Sequence, residues 1–394
     1  MAGTSRILIG GMLALAVALG LGRFAFTPIL PVMQAEYGFD AQGSGWLAAS
    51  NNVGYLIGAL WAGWVRSDRG RHQLLAWGFV LLVGSMALMP ATASFAVWNA
   101  LRLVAGIASA WVFVLASALV IPMLTAAGHA RWSGFHFGGV GIGIVLAGLV
   151  IGWTVSTLGA DAGWLVTAAL ALVMSAVSWP ALRDAHPHGS KPAAPSAPAL
   201  RFPISLLAAA YFCEGLGYIV TGTFLVAVVK GTPGLEGLAN VSWVMVGLAA
   251  LPSAAAWSFM AEKRGYLPVL IAAHLMQAVG VALPALSHHP VAVLAGAVLY
   301  GGTFLGIVGV SLAFGRAITP ENPARTIGWL TAMFGIGQIV GPVLAAKLAS
   351  MGGWSPALLM ASAVVLAGVP LLWAGELWAR RVRALPVHSL TTNT

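Results

Sequence analysis

Apolar residues fill this chain in stretches long enough to cross a bilayer, and charged or turn-forming residues fall mainly between them. A hydrocarbon layer of about 30 Å takes about 20 residues of helix at 1.5 Å rise each. Twelve such stretches are read, over 7–34, 43–65, 73–91, 95–124, 132–158, 163–182, 203–229, 238–261, 267–287, 291–316, 325–350 and 355–379. The first begins at Ile7 and continues past Arg23 to Met33 with no small-residue cleavage site, so it reads as a membrane helix and not as a signal peptide. The sharpest interruption, Arg183 to Arg201, is rich in Pro and Ala and cannot span. The pattern therefore predicts an N-terminal six-helix half over 1–182, a cytoplasmic linker over 183–202, a C-terminal six-helix half over 203–380 and a tail over 381–394.

Residues recur between the halves at a nearly constant offset. Gly20-Leu21-Gly22 matches Gly215-Leu216-Gly217 at 195 residues, and Trp46 matches Trp243 at 197. Ala130-Arg131 matches Ala324-Arg325, and Gly141-Ile142-Gly143 matches Gly335-Ile336-Gly337, both at 194. An even number of spans per half leaves the two halves pointing the same way, which is a parallel repeat. The expected class is an all-α membrane protein with twelve transmembrane helices in two pseudo-symmetric halves.

Composition narrows the function. Only 7% of the residues are charged and 59% are hydrophobic, whereas soluble domains carry about 25% charge. Soluble enzymes and nucleic-acid binders drop out. The net charge of +9 is a matter of topology, because 15 of the 19 Lys and Arg residues, from Arg6 to Arg383 and including Lys191, fall to one face. The opposite face receives only Lys230 and Lys347. By the positive-inside rule both termini and the linker are expected in the cytoplasm. Cys213 is the single cysteine, no clustered Cys/His spacing suggests a metal, and His288-His289 is a weak motif. No Gly-rich Lys loop suggests nucleotide hydrolysis. No cofactor and no nucleic acid are expected; the expected partners are a small-molecule substrate, protons and the lipid bilayer, with the chain acting as a monomer.

The loop after the second helix reads GWVRSDRGR from Gly63 to Arg71, with an acidic residue, Asp68, followed by Arg69, Gly70 and Arg71. This resembles the loop signature of the major facilitator superfamily of secondary transporters, with the acidic residue at Asp68 where the pattern places it at Ser67. Arg102 with Gly106 resembles that superfamily's fourth-helix Arg motif, and Gly337 to Pro342 its glycine-and-proline motif. The stretch Gly20 to Pro28, with Gly215 to Tyr218 later, is similar to the YbfB-like branch. The resemblance implies that helices 1, 4, 7 and 10 line a central cavity and that the Gly63 to Arg71 loop serves conformational change.

Charge at the bilayer centre costs about 2.5–3.5 kcal/mol on insertion scales, so intramembrane charges are functional candidates. Arg23, Arg102 and Glu214 stand out, and the resemblance places all three on one cavity. Glu214 reads as a proton-coupling carboxylate or as a structural ion pair with either arginine. Arg23 and Arg102 read as bidentate receptors for a carboxylate or phosphate, with a structural role open for Arg102. Asn51, Asn52 and Tyr55 form a polar stripe suited to interhelical bonding or to substrate contact. Tyr218, Tyr300, Phe304 and Gln338 are further substrate-contact candidates, with packing the alternative for the aromatics. His136 reads as a proton relay or a packing histidine. Glycines 134, 138, 139, 143, 148 and 152, and Gly337 with Gly341, follow small-xxx-small spacing for close helix approach. The expected function is alternating-access transport of a small organic anion, proton-coupled, in the cytoplasmic membrane. Efflux of hydrophobic or cationic drugs and a non-transporting sensor are the rivals.

Overall fold

The computed structural model describes residues 2–185 and 200–384. Most of the expected linker, including Lys191, and all but the first few residues of the expected tail lie outside them.

Nine helical stretches among the described residues are long and apolar enough to cross a membrane. They are α1 (Gly3–Tyr37), α4 (Phe95–Ala126), the double-length Ala130–Arg183, α7 (Ile204–Lys230), Glu236–Arg264, α9 (Tyr266–Leu286), α10 (Pro290–Ile318), α11 (Pro323–Gly352) and Trp354–Val382. Within Glu236–Arg264 the α-helix Ala239–Arg264 is α8, and Trp354–Val382 belongs to the α-helix Trp354–Ala384, α12. More polar but of spanning length are α2 (Ala41–Trp64) and α3 (Asp68–Ala87). Ala130–Arg183 doubles back at Gly159, whose φ of 88° is open to glycine and strained for other residues. It thereby supplies α5 (133–158) and α6 (160–183), and Gly163 comes to rest against the Val155 side chain. The new helix is held at its start by α1: Glu36 Oε2 accepts from Ala160 N at 3.0 Å, and Tyr37 Oη donates to Asp161 Oδ1 at 2.6 Å. A carboxylate there satisfies an orphan donor and suits the positive end of the helix. The sixth helix begins a few residues before the expected position 163 for this reason.

The repeat seen in sequence is a repeat of close crossings. A Cβ at Gly143 would lie 2.6 Å from Gly20 Cα, so α1 and α5 touch backbone to backbone. In the second half a Cβ at Gly337 would lie 2.7 Å from Leu216 N, and α7 and α11 cross in the same way. The crossing of α2 on α4, Gly106 against Asn51, returns as α8 on α10, Gly301 against Val246. Both partners are displaced by 195 residues. These contacts leave no room for a side chain, so Gly143→Val is expected to lower stability by about 1–3 kcal/mol through overpacking. Thermal unfolding in detergent checks this against Gly84→Ala, a position with open space around it; equal melting temperatures would show that the crossing is slack.

The halves meet along two seams. On one, Gly134, Gly138, Gly141, Gly148 and Gly152 of α5 face Ala255, Leu251, Gly247, Val244 and Asn240 of α8. On the other, Gly45 of α2 faces Pro342 and Ala346 of α11, and Gly335 faces Leu56. The expected small-residue stripe on α5 is thus divided, since Gly139 and Gly143 serve α1 within the same half. Gly337 and Gly341 likewise face α7 of their own half. Along the α5/α8 seam, the end near Arg131 meets the end near Lys263 and Arg264. The basic loops of both halves therefore share one face, as a parallel repeat requires.

Candidate functional site

Arg23 owes its position to a defect in α1. Residues Ala16–Leu21 form a π-helical turn, with Gly22 N bonded to Val17 O and Phe24 N to Leu19 O, both at 2.9 Å, and the helix resumes at Phe26. Such turns widen the helix and leave carbonyls misaligned. Two side chains of α4 take them up: Ser109 donates to Ala18 O and Arg102 Nη1 to Gly22 O at 3.4 Å. The matching Gly215-Leu216-Gly217 segment lies in an unbroken α-helix, so the defect belongs to the first half alone.

The Arg23 guanidinium lies between the halves, 6% exposed. Its Nη1 donates to Gln338 Oε1 at 2.9 Å and to Tyr218 Oη at 3.4 Å, and its Cζ lies 4.1 Å over the Tyr55 ring. Nε and Nη2 have no partner. Those two groups lie along one edge of the guanidinium, the edge that receives a carboxylate through two parallel bonds. Arg102, 3% exposed, stacks on Phe26 at 4.5 Å and also leaves Nε unpartnered. Asn51 donates to Arg102 O at 3.0 Å and keeps a free Oδ1, while Asn52 donates to Gln338 O at 2.8 Å and joins the halves. Arg23, Arg102, Asn51 and Asn52 line one cavity with Phe24, Thr27 and Gly222. Its volume is about 10 Å³, room for about one water. The ion pairs among the described residues all lie at loops or helix ends, and none includes Arg23 or Arg102.

Glu214 departs from the expected shared cavity. It is 0% exposed and turns into its own half, where Oε1 accepts from Gln277 Nε2 of α9 at 2.7 Å. Gln277 Oε1 in turn accepts from Thr303 of α10 at 3.1 Å, and Glu214 Oε2 has no partner. No ion pair joins Glu214 to either arginine. Tyr218, one turn beyond Glu214 on the same face of α7, is the residue that reaches Arg23, while Glu214 is taken up by Gln277 of α9. His136 is also remote from the arginines, buried against Gly11 with Nε2 at 3.1 Å from Ser117 Oγ. Asp68, its side chain 61% exposed, pairs locally with Arg71 at 3.6 Å, and Arg71 Nε donates to Val65 O at 3.2 Å. Among the described residues no ion pair joins Asp68 of that loop, which also holds Gly63, Arg69 and Gly70, to the second half.

Tyr218, Tyr300 and Phe304 belong to a larger aromatic group. Tyr300 Oη donates to Tyr218 O at 3.1 Å, and the three rings stack with Phe334 and Tyr211. Phe24 meets Phe304 edge-on at 6.0 Å and Trp243 at 5.9 Å. The sequence reading missed Gln277, Thr303, Phe334 and Tyr211. Gln277 carried a usable signal, being a lone amide within an apolar span; the aromatics carried none, because they come from different helices.

Known proteins share both the sequence pattern and the architecture. The family profile described as "Uncharacterised MFS-type transporter YbfB" matches residues 15–372. A chloramphenicol resistance protein of Streptomyces lividans is 26% identical over 375 residues, covering 90% of this chain and 94% of that protein. In structure, the nucleoside transporter NupG superposes with a TM-score of 0.68 at 14% identity, over 95% of this chain and 99% of that one. The human organic anion transporter MFSD10 (TETRAN) gives 0.63 at 17% identity, over 94% and 99%. At such identities the solved structures speak to fold, which they share as two-half transporters. The family match spans most of the chain, and the chain accordingly belongs to the YbfB-type family of the major facilitator superfamily: it is a multi-pass membrane transporter and not an enzyme.

Proposed function

We propose that this transporter moves a small organic anion, a carboxylate metabolite, by alternating access around the Arg23 and Arg102 cavity, and that Glu214 couples the movement to protons. One observation carries the reading. Two buried guanidiniums share a cavity with no carboxylate beside them, and Arg23 holds its two-donor edge free. Buried like charges are costly without a counter-ion, and an anionic substrate is the counter-ion that such an edge fits. The same charges oppose a cationic drug. Similarity in fold to an organic anion transporter is consistent with this.

The membrane is the cytoplasmic one, with the basic loops and both termini inside. On α7, residues 214–229 are buried without a gap while the end toward the basic face is partly exposed, whereas α1, buried over 14–30, is partly exposed at both ends. A second reading, efflux of uncharged hydrophobic compounds, is favoured by the aromatic walls and by likeness to the chloramphenicol resistance protein. Counterflow in proteoliposomes separates the two. Preloaded monocarboxylates are expected to drive exchange, with uncharged and cationic compounds of similar size inactive; exchange of chloramphenicol with no exchange of any carboxylate would establish the second reading instead.

A further inference from the structure

Three side chains that line the arginine cavity are each only half committed to the protein. Asn51 is fixed in orientation, because its Nδ2 donates to Arg102 O at 3.0 Å and a carbonyl can only accept. The atom left over is therefore its oxygen, and Oδ1 is buried with no donor in reach. Arg102 directs Nη1 to Gly22 O at 3.4 Å and keeps Nε unpartnered. Arg23 directs Nη1 to Gln338 and Tyr218 and keeps the Nε and Nη2 edge. Thr27, another residue of the wall, gives its hydroxyl to Gly222 O and does not serve the others. The cavity residues thus carry three orphaned donors on two guanidiniums and one orphaned acceptor on an amide.

A carboxylate alone does not satisfy this set. It accepts and cannot donate, so on the Arg23 edge it leaves the Asn51 oxygen buried without a partner, which is costly. The missing element is a ligand group that donates to Asn51 Oδ1 and accepts from Arg102 Nε, two atoms of residues already bonded to one another. A hydroxyl does both. A keto oxygen only accepts, and an ammonium only donates while adding a third positive charge beside two guanidiniums. Spacing follows from volume: the cavity of about 10 Å³ is about one water across, so all four orphaned atoms belong to residues around one small space. The ligand groups that meet them have to stand on adjacent carbons.

We propose that the transported anion is a 2-hydroxy carboxylate, its carboxylate on the Nε and Nη2 edge of Arg23 and its hydroxyl between Arg102 Nε and Asn51 Oδ1. This rests on the anion reading above and adds the second functional group of the substrate, with Asn51 as the residue that reads it. Calorimetric titration of the purified full-length protein tests it with both enantiomers of 2-hydroxybutyrate. The comparison set keeps the same carbon chain: butyrate, 2-oxobutyrate, 3-hydroxybutyrate, zwitterionic 2-aminobutyrate and the neutral 2-hydroxybutyramide. The better enantiomer is expected to bind at least about tenfold more tightly than each of these, a difference of about 1.4 kcal/mol, because a site built to bond a hydroxyl rejects the analogue that lacks it. Equal binding of butyrate, 2-oxobutyrate or 3-hydroxybutyrate would overturn the hydroxyl inference and leave the anion reading standing. Equal binding of the amide or of 2-aminobutyrate would overturn the anion reading and this inference with it. Absence of binding by both enantiomers would overturn the proposal. In Asn51→Leu, which removes the acceptor at similar volume, the preference for 2-hydroxybutyrate over butyrate should disappear with butyrate affinity unchanged. A merely structural asparagine would lower both affinities together, and that outcome would remove Asn51 from the site. The wild-type comparison stands whether or not the variant folds.

Discussion

Arg23→Lys is expected to weaken carboxylate binding by roughly thirtyfold, about 2 kcal/mol, while the net charge stays the same. The guanidinium divides its work: Nη1 is held by Gln338 and Tyr218, and Nε with Nη2 remain for the ligand. An ammonium has no such division. Its donors radiate from one atom, so bonds to Gln338 and Tyr218 leave it unable to present two parallel donors to a carboxylate. Charge-assisted bonds contribute about 1.5–3 kcal/mol each, and losing one of two gives the stated effect. Arg23→Gln, which removes the charge as well, should lose more than about a hundredfold. Binding titration alongside a melting curve provides the check. A structural arginine would move the melting temperature and leave the preference for carboxylate over amide intact; that outcome would remove Arg23 from the binding site. Arg102→Lys should show the opposite balance, since its Nη1 holds the Gly22 carbonyl of the α1 defect and its plane covers Phe26.

Glu214→Gln should abolish accumulation driven by a pH gradient while leaving exchange of substrate for substrate close to wild type. The side chain is 0% exposed, with one oxygen bonded by Gln277 and the other unpartnered. A full charge at bilayer depth costs about 2.5–3.5 kcal/mol, and among the described residues no ion pair offsets this one. Uptake of a proton removes that cost, and release requires a change in the surroundings, which is what coupling demands. Glutamine keeps the shape and an oxygen for the Gln277 bond but cannot titrate. The lever is short: Glu214 and Tyr218 stand one helical turn apart on α7, the former bound to α9 and the latter bonded to Arg23 across the halves. Flux assays in proteoliposomes with and without a pH gradient decide the matter, and undiminished gradient-driven accumulation in the variant would remove Glu214 from the coupling path.

The spans were legible because lipid allows a lone chain segment little choice: backbone groups must bond internally, and apolar runs of this length do so as helices. Arg23, Arg102 and Glu214 were legible for the complementary reason, since charge among apolar residues has to be explained. What the residues do with that depth was less legible. Leu19 and Glu214 correspond in the repeat, as do Arg23 and Tyr218, yet depth along a helix says nothing of rotation about it. The π turn at Ala16–Leu21 has no marked composition, being apolar like its neighbours. It nevertheless stands directly before Arg23 and turns the Ala18 and Gly22 carbonyls to side chains of α4. Asp68 illustrates the same limit at the surface, because its loop matches a transporter signature while its carboxylate stays with Arg71.

By itself the sequence determined twelve spans, their division into parallel halves and the short roster of buried charges, all of which follow from local hydrophobicity and spacing. Tertiary structure alone decided that the arginines share a cavity while Glu214 faces Gln277, that glycines on one stripe serve two different seams, and that rings from α7, α10 and α11 stand in one column. The physical reason is that hydrophobicity is a property of each segment, whereas the direction of a side chain depends on helix rotation and on which neighbour packs close enough to hold it.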